Sequence, residues 1–139
     1  MSHVAKIEIT ITDLDTLKGA CEQLGLQFMA HQKTYSWYGR YVGDSAIPEG
    51  FTEADLGRCD HAIRVPGAEY ELGVVYRNGR FHLLWDFYRS GGLERVLGKG
   101  ACKLKQAYSA ERVRREARVK GYHVQERKTE QGIRLILTK

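Results

Sequence analysis

Two carboxylates pose the first chemical question in this sequence. Asn78-Gly79 is the dipeptide that most readily takes the two positive φ angles of a type I′ turn. Counting outward from it faces Tyr76 with Phe81, Val74 with Leu83, Leu72 with Trp85 and Tyr70 with Phe87. The same register sets Glu71 across from Asp86 on the opposite face, with Cα atoms about 5.5 Å apart. Like charges so placed repel, so one carboxyl keeps its proton or a cation neutralises the pair. Arg64, in an adjoining strand, is the expected cation. The plain account is a solvated strand face balanced by Arg64; the sharper one is a site for a metal or for a partner's basic residue.

His82 shares that face with Asp86, but four residues of strand span about 13 Å, far beyond the reach of a catalytic dyad. Cys59 and His61 alternate onto one side of a strand, as two metal ligands would, with His31 and His123 as further candidates. A closed zinc site needs four ligands, and no second Cys/His pair stands nearby, so a buried thiol and a satisfied core histidine are expected, with no metal and no cofactor. Tyr35, Trp37, Tyr38 and Tyr41 are a set that could stack on bases; strand alternation instead turns Tyr35, Trp37 and Tyr41 inward and Tyr38 outward. Gly91-Gly92 and Gly98-Lys99-Gly100 lack the order of a phosphate-binding loop.

The remaining candidates are cations. Arg112, Arg114, Arg115, Arg118 and Lys120, with Lys99, Lys103 and Lys105, make the last third the most basic region. Its acids temper that charge, because Glu111 can pair with Arg115, Arg112 with Glu116, and Glu116 with Lys120, all at i,i+4. A protein-binding surface is expected to draw on Arg64, Glu71, Asp86, Arg112, Arg114 and Arg118. A nucleic-acid surface would instead use Lys103, Lys105, Arg112 and Arg115, with Arg114 and Arg118 alongside.

These side chains need a scaffold, and 139 residues suit a single domain, 1–139. The 22 Lys and Arg against 17 Asp and Glu give a net charge of +5, with the two signs interspersed as on an ordinary soluble surface. No apolar run approaches the ~18 to 20 residues of a membrane span, and the start Met1-Ser2-His3 is not that of a secretion signal. Cys21, Cys59 and Cys102 are too few and too far apart for a disulfide framework. A soluble, unprocessed cytoplasmic protein is expected, with no membrane partner.

Lys6 to Thr12 alternates, with Ile7, Ile9 and Ile11 on one face, and predicts a half-buried strand. Asp13 then caps a helix through Leu14, Leu17, Cys21 and Leu24, which Gly25 ends. Leu26 to His31 reads as a second strand. A strand near Tyr35 to Val42, a long loop through Gly43 to Gly50 and a short helix over Thr52 to Gly57 follow. Asp60 to Val65 is a strand that folds back at Pro66-Gly67, setting Ile63 against Tyr70 and His61 against Leu72. After the Asn78-Gly79 hairpin come a short helix, Leu93 to Leu97, and a connection through Ala101 to Tyr108. Ser109 is the expected N-cap of a helix to Lys120, with Ala110, Val113 and Ala117 inward and Gly121 as its stop. Tyr122 to Arg127 and Ile133 to Thr138 form a last hairpin across Glu130-Gln131-Gly132. The order predicts an α+β fold: a mainly antiparallel sheet with two or three helices on one face, a β-α-β start and an α-β-β end.

The run Tyr70-Glu71-Leu72-Gly73-Val74, then Gly79-Arg80-Phe81-His82-Leu83-Leu84-Trp85-Asp86-Phe87-Tyr88, resembles that of the family of unknown function numbered 1257, typified by the plastid hypothetical reading frame 35 protein. The Met1-Ser2-His3 start with its isoleucine strand is similar to the family's opening. Gln106-Ala107-Tyr108, Val113, Ala117, Gly121-Tyr122-His123-Val124 and Gly132-Ile133-Arg134-Leu135 are similar to its close. About two thirds of the chain takes part, Tyr35 to Gly57 least. Trp85 stands where the family has smaller residues, and Phe87 and Tyr88 where it often has Trp. The resemblance implies a bacterial or plastid protein, in the stroma if plastid-encoded, often encoded near an AAA-type ATPase or a ferredoxin-like protein, and it supplies no catalytic residue.

The functional expectation is a non-enzymatic accessory or adaptor protein that binds another protein, such as a companion ATPase, through its sheet edge and basic helix. RNA or DNA binding by that helix is the alternative. An enzyme using the acidic strand face, by metal or by acid/base chemistry, is a third reading, in which no nucleophile, base and orienting group converge.

Overall fold

Alternating apolar residues build the sheet that organises the molecule. In the computed structural model, which describes residues 3–41, 46–130 and 132–139, five strands pair antiparallel: Val4–Lys6 (β1), Gln27–Met29 (β2), His61–Arg64 (β3), Glu71–Arg77 (β4) and Arg80–Asp86 (β5). Their order across the sheet is β1-β5-β4-β3-β2. Three helices, Leu14–Leu24 (α1), Leu93–Leu97 (α2) and Cys102–Val119 (α3), supply the rest of the α+β fold. A separate two-stranded sheet, His123–Thr129 (β6) and Gly132–Thr138 (β7), closes the chain. Met1, Ser2, the end of the expected strand at Val42, Gly43 to Ser45 of the expected loop and Gln131 of the last turn lie outside the described residues.

Local signals set several elements as expected. Asn78 and Gly79 have φ of 54° and 80°, and the ladder that starts from them pairs Tyr76 with Phe81 and Val74 with Leu83. Asp13 accepts the Asp15 N–H at 3.0 Å and the Thr16 hydroxyl at 2.7 Å, starting α1, and Gly25 at φ 71° ends it. β1 and β2 lie on opposite edges of the sheet, so α1 crosses its whole width.

Other elements depart from expectation. The Ile7–Ile11 strand is broken: β1 ends at Lys6, Ile7 still donates its N–H to Leu83, and the chain touches the sheet again only where Ile11 bridges Phe81. The β3–β4 register is slipped by two residues, with Ile63 opposite Leu72 and His61 opposite Val74. Pro66-Gly67 makes a tight turn closed by Ala68 N–H to Val65 C=O, but a Pro-Gly turn twists the wrong way for a two-residue hairpin, and residues up to Tyr70 extend the loop. A two-residue slip keeps each side chain on its own face.

No strand forms over Tyr35 to Tyr41. Thr34 makes one bridge to Arg58, Tyr35 donates its N–H to Gly57, and a single 3₁₀ turn spans Glu53–Asp55. The aromatic residues turn as expected, Tyr35 buried and Tyr38 partly exposed. Their segment lies over the second face of the sheet, where Tyr35, Leu56 and Cys59 cluster with Val4, Ala62, Val75 and Leu84, and Trp37, Tyr41 and Phe51 pack against them. Gly73 makes room for this, because a Cβ there would sit 2.4 Å from the Tyr35 ring. The other face carries the larger core: Ile63, Leu72, Val74, Leu83 and Trp85 against Leu17, Leu93, Leu97, Leu104 and Tyr108 of the helices. At roughly 1.5 to 3 kcal/mol for each large side chain buried, these two layers dominate the stability. The central strands are covered on both sides, so the solvated strand face expected for Glu71 and Asp86 does not exist.

α3 is one continuous helix, and Ser109 sits exposed in its middle instead of capping its start. The helix begins where Ala101, at φ 60°, leaves the left-handed region. Starting eight residues earlier than expected, it aligns Leu104, Ala107, Tyr108, Glu111 and Arg114 along one buried stripe, and Val113 is exposed.

Candidate functional site

Glu71 and Asp86 are both buried, and neither faces the other as an unbalanced charge. Asp86 has no solvent exposure, and its carboxylate accepts three backbone N–H groups: His3 at 3.0 Å, Tyr38 at 3.0 Å and Tyr88 at 3.1 Å. Glu71 accepts the Ser36 N–H at 3.0 Å, the Ser36 hydroxyl at 3.1 Å and the Gln32 amide at 3.1 Å, and Arg64 approaches its other oxygen at 3.5 Å. The β4–β5 ladder ends at Gly73 opposite Leu84, and residues 36–38 bond to the ends of both strands, Ser36 C=O accepting the Glu71 N–H at 2.9 Å. Asp86 through backbone donors alone, and Glu71 through one backbone and several side-chain donors, hold the covering segment down. The acidic binding patch expected of them is corrected; Arg64, exposed and bonded to Glu71, is the expected neutralising cation.

The other chemical pairs are also taken apart. Asp60 and His61 both face Val74, so β3 carries an extra residue there and the alternation shifts. Cys59 therefore joins the second core layer, while the His61 ring lies 5.4 Å from Phe28 on the helical side. The Cys59 thiol donates to Gln32 C=O at 3.2 Å, and burial pushes it up to about 11; burial likewise pushes Cys21 up to about 12. Neither is a thiolate nucleophile at neutral pH. His61 Nδ1 accepts the His31 N–H at 2.9 Å. That bond leaves the proton of the neutral ring on Nε2, the nitrogen a metal would need. Among the described residues no three His, Cys, Asp or Glu side chains are grouped to hold a metal ion. An open groove of about 750 Å³ beside residues 4–10 is lined by Lys6, Arg80 and His82 but also by Glu8 and Glu49, charges of both signs.

The basic region is where exposed chemistry accumulates. Residues 99–139 hold twelve Lys and Arg against four Glu. Arg114, expected on a binding surface, is instead buried on the inner stripe, its guanidinium bridging Glu111 at 2.7 Å and Glu126 of β6 at 2.9 Å. Arg115 also bonds Glu111, at 3.0 Å, and Lys120 reaches Glu116 at 3.4 Å. The expected Arg112–Glu116 pair is not formed. Three of the four acids are thus engaged, while Lys103, Arg112, Arg118, Arg127, Lys128 and Arg134 are exposed with no acidic partner among the described residues. Lys105 is half-buried.

Three cations in this set were missed by the motif reading. β6 and β7 place Arg127 directly opposite Arg134, and Lys128, next along β6, points to the other face. The expected turn over 130–132 sets Lys128 against Arg134; Thr129 pairs instead with Gly132, which brings Arg127 opposite Arg134.

Fold and surface together define a small α+β protein with a sealed sheet and one basic layer, α3 with the β6–β7 hairpin. The chain matches no family model, no curated protein and no solved structure. Among the described residues no helix is long and apolar enough to cross a membrane.

Proposed function

We propose that this chain is a non-enzymatic accessory protein that works by binding a macromolecule through its basic C-terminal layer, and that the macromolecule is nucleic acid. The single observation that carries the reading is the unbalanced charge of that layer, whose acids are spent on Arg114, Arg115 and Lys120 while six further cations stand exposed. A closely spaced row of phosphates is the partner such a surface suits. The adaptor reading drew on the sheet edge, the basic helix and an acidic patch at Glu71 and Asp86, and burial of both carboxylates removes the patch. Membership of the family numbered 1257, with a companion ATPase as protein partner, is the competing reading.

The test is fluorescence anisotropy of the full chain with a labelled nucleic-acid duplex, run beside a pull-down with the companion ATPase. Duplex binding that weakens steeply between low and moderate salt supports the proposal. Absence of duplex binding at low salt, or salt-insensitive capture of the ATPase alone, overturns it.

A further inference from the structure

We infer that the β6–β7 ribbon is the element that enters the nucleic acid, in the major groove of B-form DNA; this rests on the nucleic-acid reading above. Arg127 and Arg134 are direct cross-strand partners, both exposed, and among the described residues neither has an acidic partner. Like charges directly opposite on a sheet repel, whereas the neighbouring Arg114 and Arg115 of α3 share Glu111. An anion between the two guanidinium groups would turn that repulsion into attraction.

The ribbon is braced for such a role. Its inner face is fixed to α3 by Glu126 on Arg114 at 2.9 Å, and at the turn Gln106 of α3 packs over Gly132, the partner of Thr129. The outer face carries Gln125 and Thr129 beside the arginines, all exposed. These side chains hydrogen-bond phosphates and base edges, and no exposed Trp or Tyr stands among them to anchor a protein interface. Each strand has seven residues, a ribbon of roughly 20 Å, and two strands about 4.8 Å apart enter a groove ~12 Å wide. The major groove of A-form RNA is too narrow for this entry.

The experiment uses the full chain with labelled DNA and RNA duplexes of one sequence, polyglutamate as competitor, and the variants R127A/R134A, R127K/R134K and R112A/R118A. The account expects DNA to bind more tightly than RNA, and R127A/R134A to weaken DNA binding by about tenfold or more with a shallower salt dependence. R127K/R134K is expected to keep the salt dependence, and R112A/R118A to lose less than the ribbon variant. All four arginines are exposed, so thermal midpoints should match the wild type. If wild type binds DNA and R127A/R134A binds equally well, the ribbon assignment falls while the nucleic-acid reading stands. RNA binding as tight as DNA overturns the groove assignment, polyglutamate displacing DNA at equal charge points to an acidic protein and overturns the inference, and absence of wild-type binding to any duplex sinks both readings.

Discussion

The carboxylate of Asp86 accepts the backbone N–H of Tyr38 at 3.0 Å, joining the end of β5 to a segment 48 positions earlier. The same carboxylate holds His3 and Tyr88. One fully buried side chain therefore pins the N-terminus and the covering segment to the sheet. Asp86→Ala leaves three N–H groups without an acceptor, and the expected loss is about 3 to 5 kcal/mol. Asp86→Asn keeps one acceptor oxygen but turns an NH₂ toward another donor, and should lose about 2 kcal/mol. Urea unfolding measures both, and limited proteolysis should cut the 35–57 segment first. An Asp86→Ala variant with the wild-type midpoint would contradict this role.

Gly19 of α1 faces Glu111 of α3, and a Cβ at position 19 would lie 2.8 Å from the Glu111 carboxyl carbon. Gly→Ala inside a helix ordinarily stabilises by up to ~1 kcal/mol. Here Glu111 is buried and held by Arg114 and Arg115, so it cannot swing aside without breaking those pairs. Gly19→Ala is expected to destabilise by about 1 to 2 kcal/mol instead. Glu111→Ala leaves the buried Arg114 with Glu126 alone and should lose about 2 to 3 kcal/mol. A stabilised Gly19→Ala in chemical denaturation would show that the helices separate freely at this point.

His61 and His82 both titrate below the usual histidine value of 6.5, burial being the largest cause for each; His31 for His61, and Lys6 for His82, add to it. A lowered folded value means that the unfolded chain takes up protons first. Stability from these two groups is therefore complete above about pH 6.5 and declines on acidification toward their folded values. Asp13, lowered chiefly by its Thr16 hydrogen bond, adds a further loss only below about pH 3.8. The thermal midpoint should fall between about pH 7.5 and 5.5, and a His61→Asn/His82→Asn variant should flatten that slope. Asn at position 61 offers an oxygen in place of Nδ1. A wild-type midpoint that does not change over this range would rule the effect out.

What the sequence disclosed depended on how local its signal was. Asn78-Gly79, Asp13 and Gly25 act within a turn or two, and each built the element it predicted. Ser109 carries the same capping chemistry but lies inside α3, because Leu104, Ala107 and Tyr108 upstream already bury the helix. The roles of Glu71 and Asp86 were hidden because their donors come from Ser36 and Tyr38, 35 and 48 positions away, in a segment with no regular pattern. Arg114 was misplaced although it stands four residues after Ala110 and three before Ala117, both expected inward; its second partner, Glu126, lies in β6, beyond the reach of a helical pattern. The Arg127–Arg134 pair was hidden by one residue of register: a turn over 130–132 sets Lys128 against Arg134, whereas the strands pair Thr129 with Gly132 and so Arg127 with Arg134.

The central claim concerns the charge of the C-terminal layer, and the salt dependence of duplex binding by the intact chain tests it most directly. With six exposed cations free of acidic partners, log K against log salt should fall with a slope of about −3 or steeper. A slope near zero, or no binding at low salt, would contradict it.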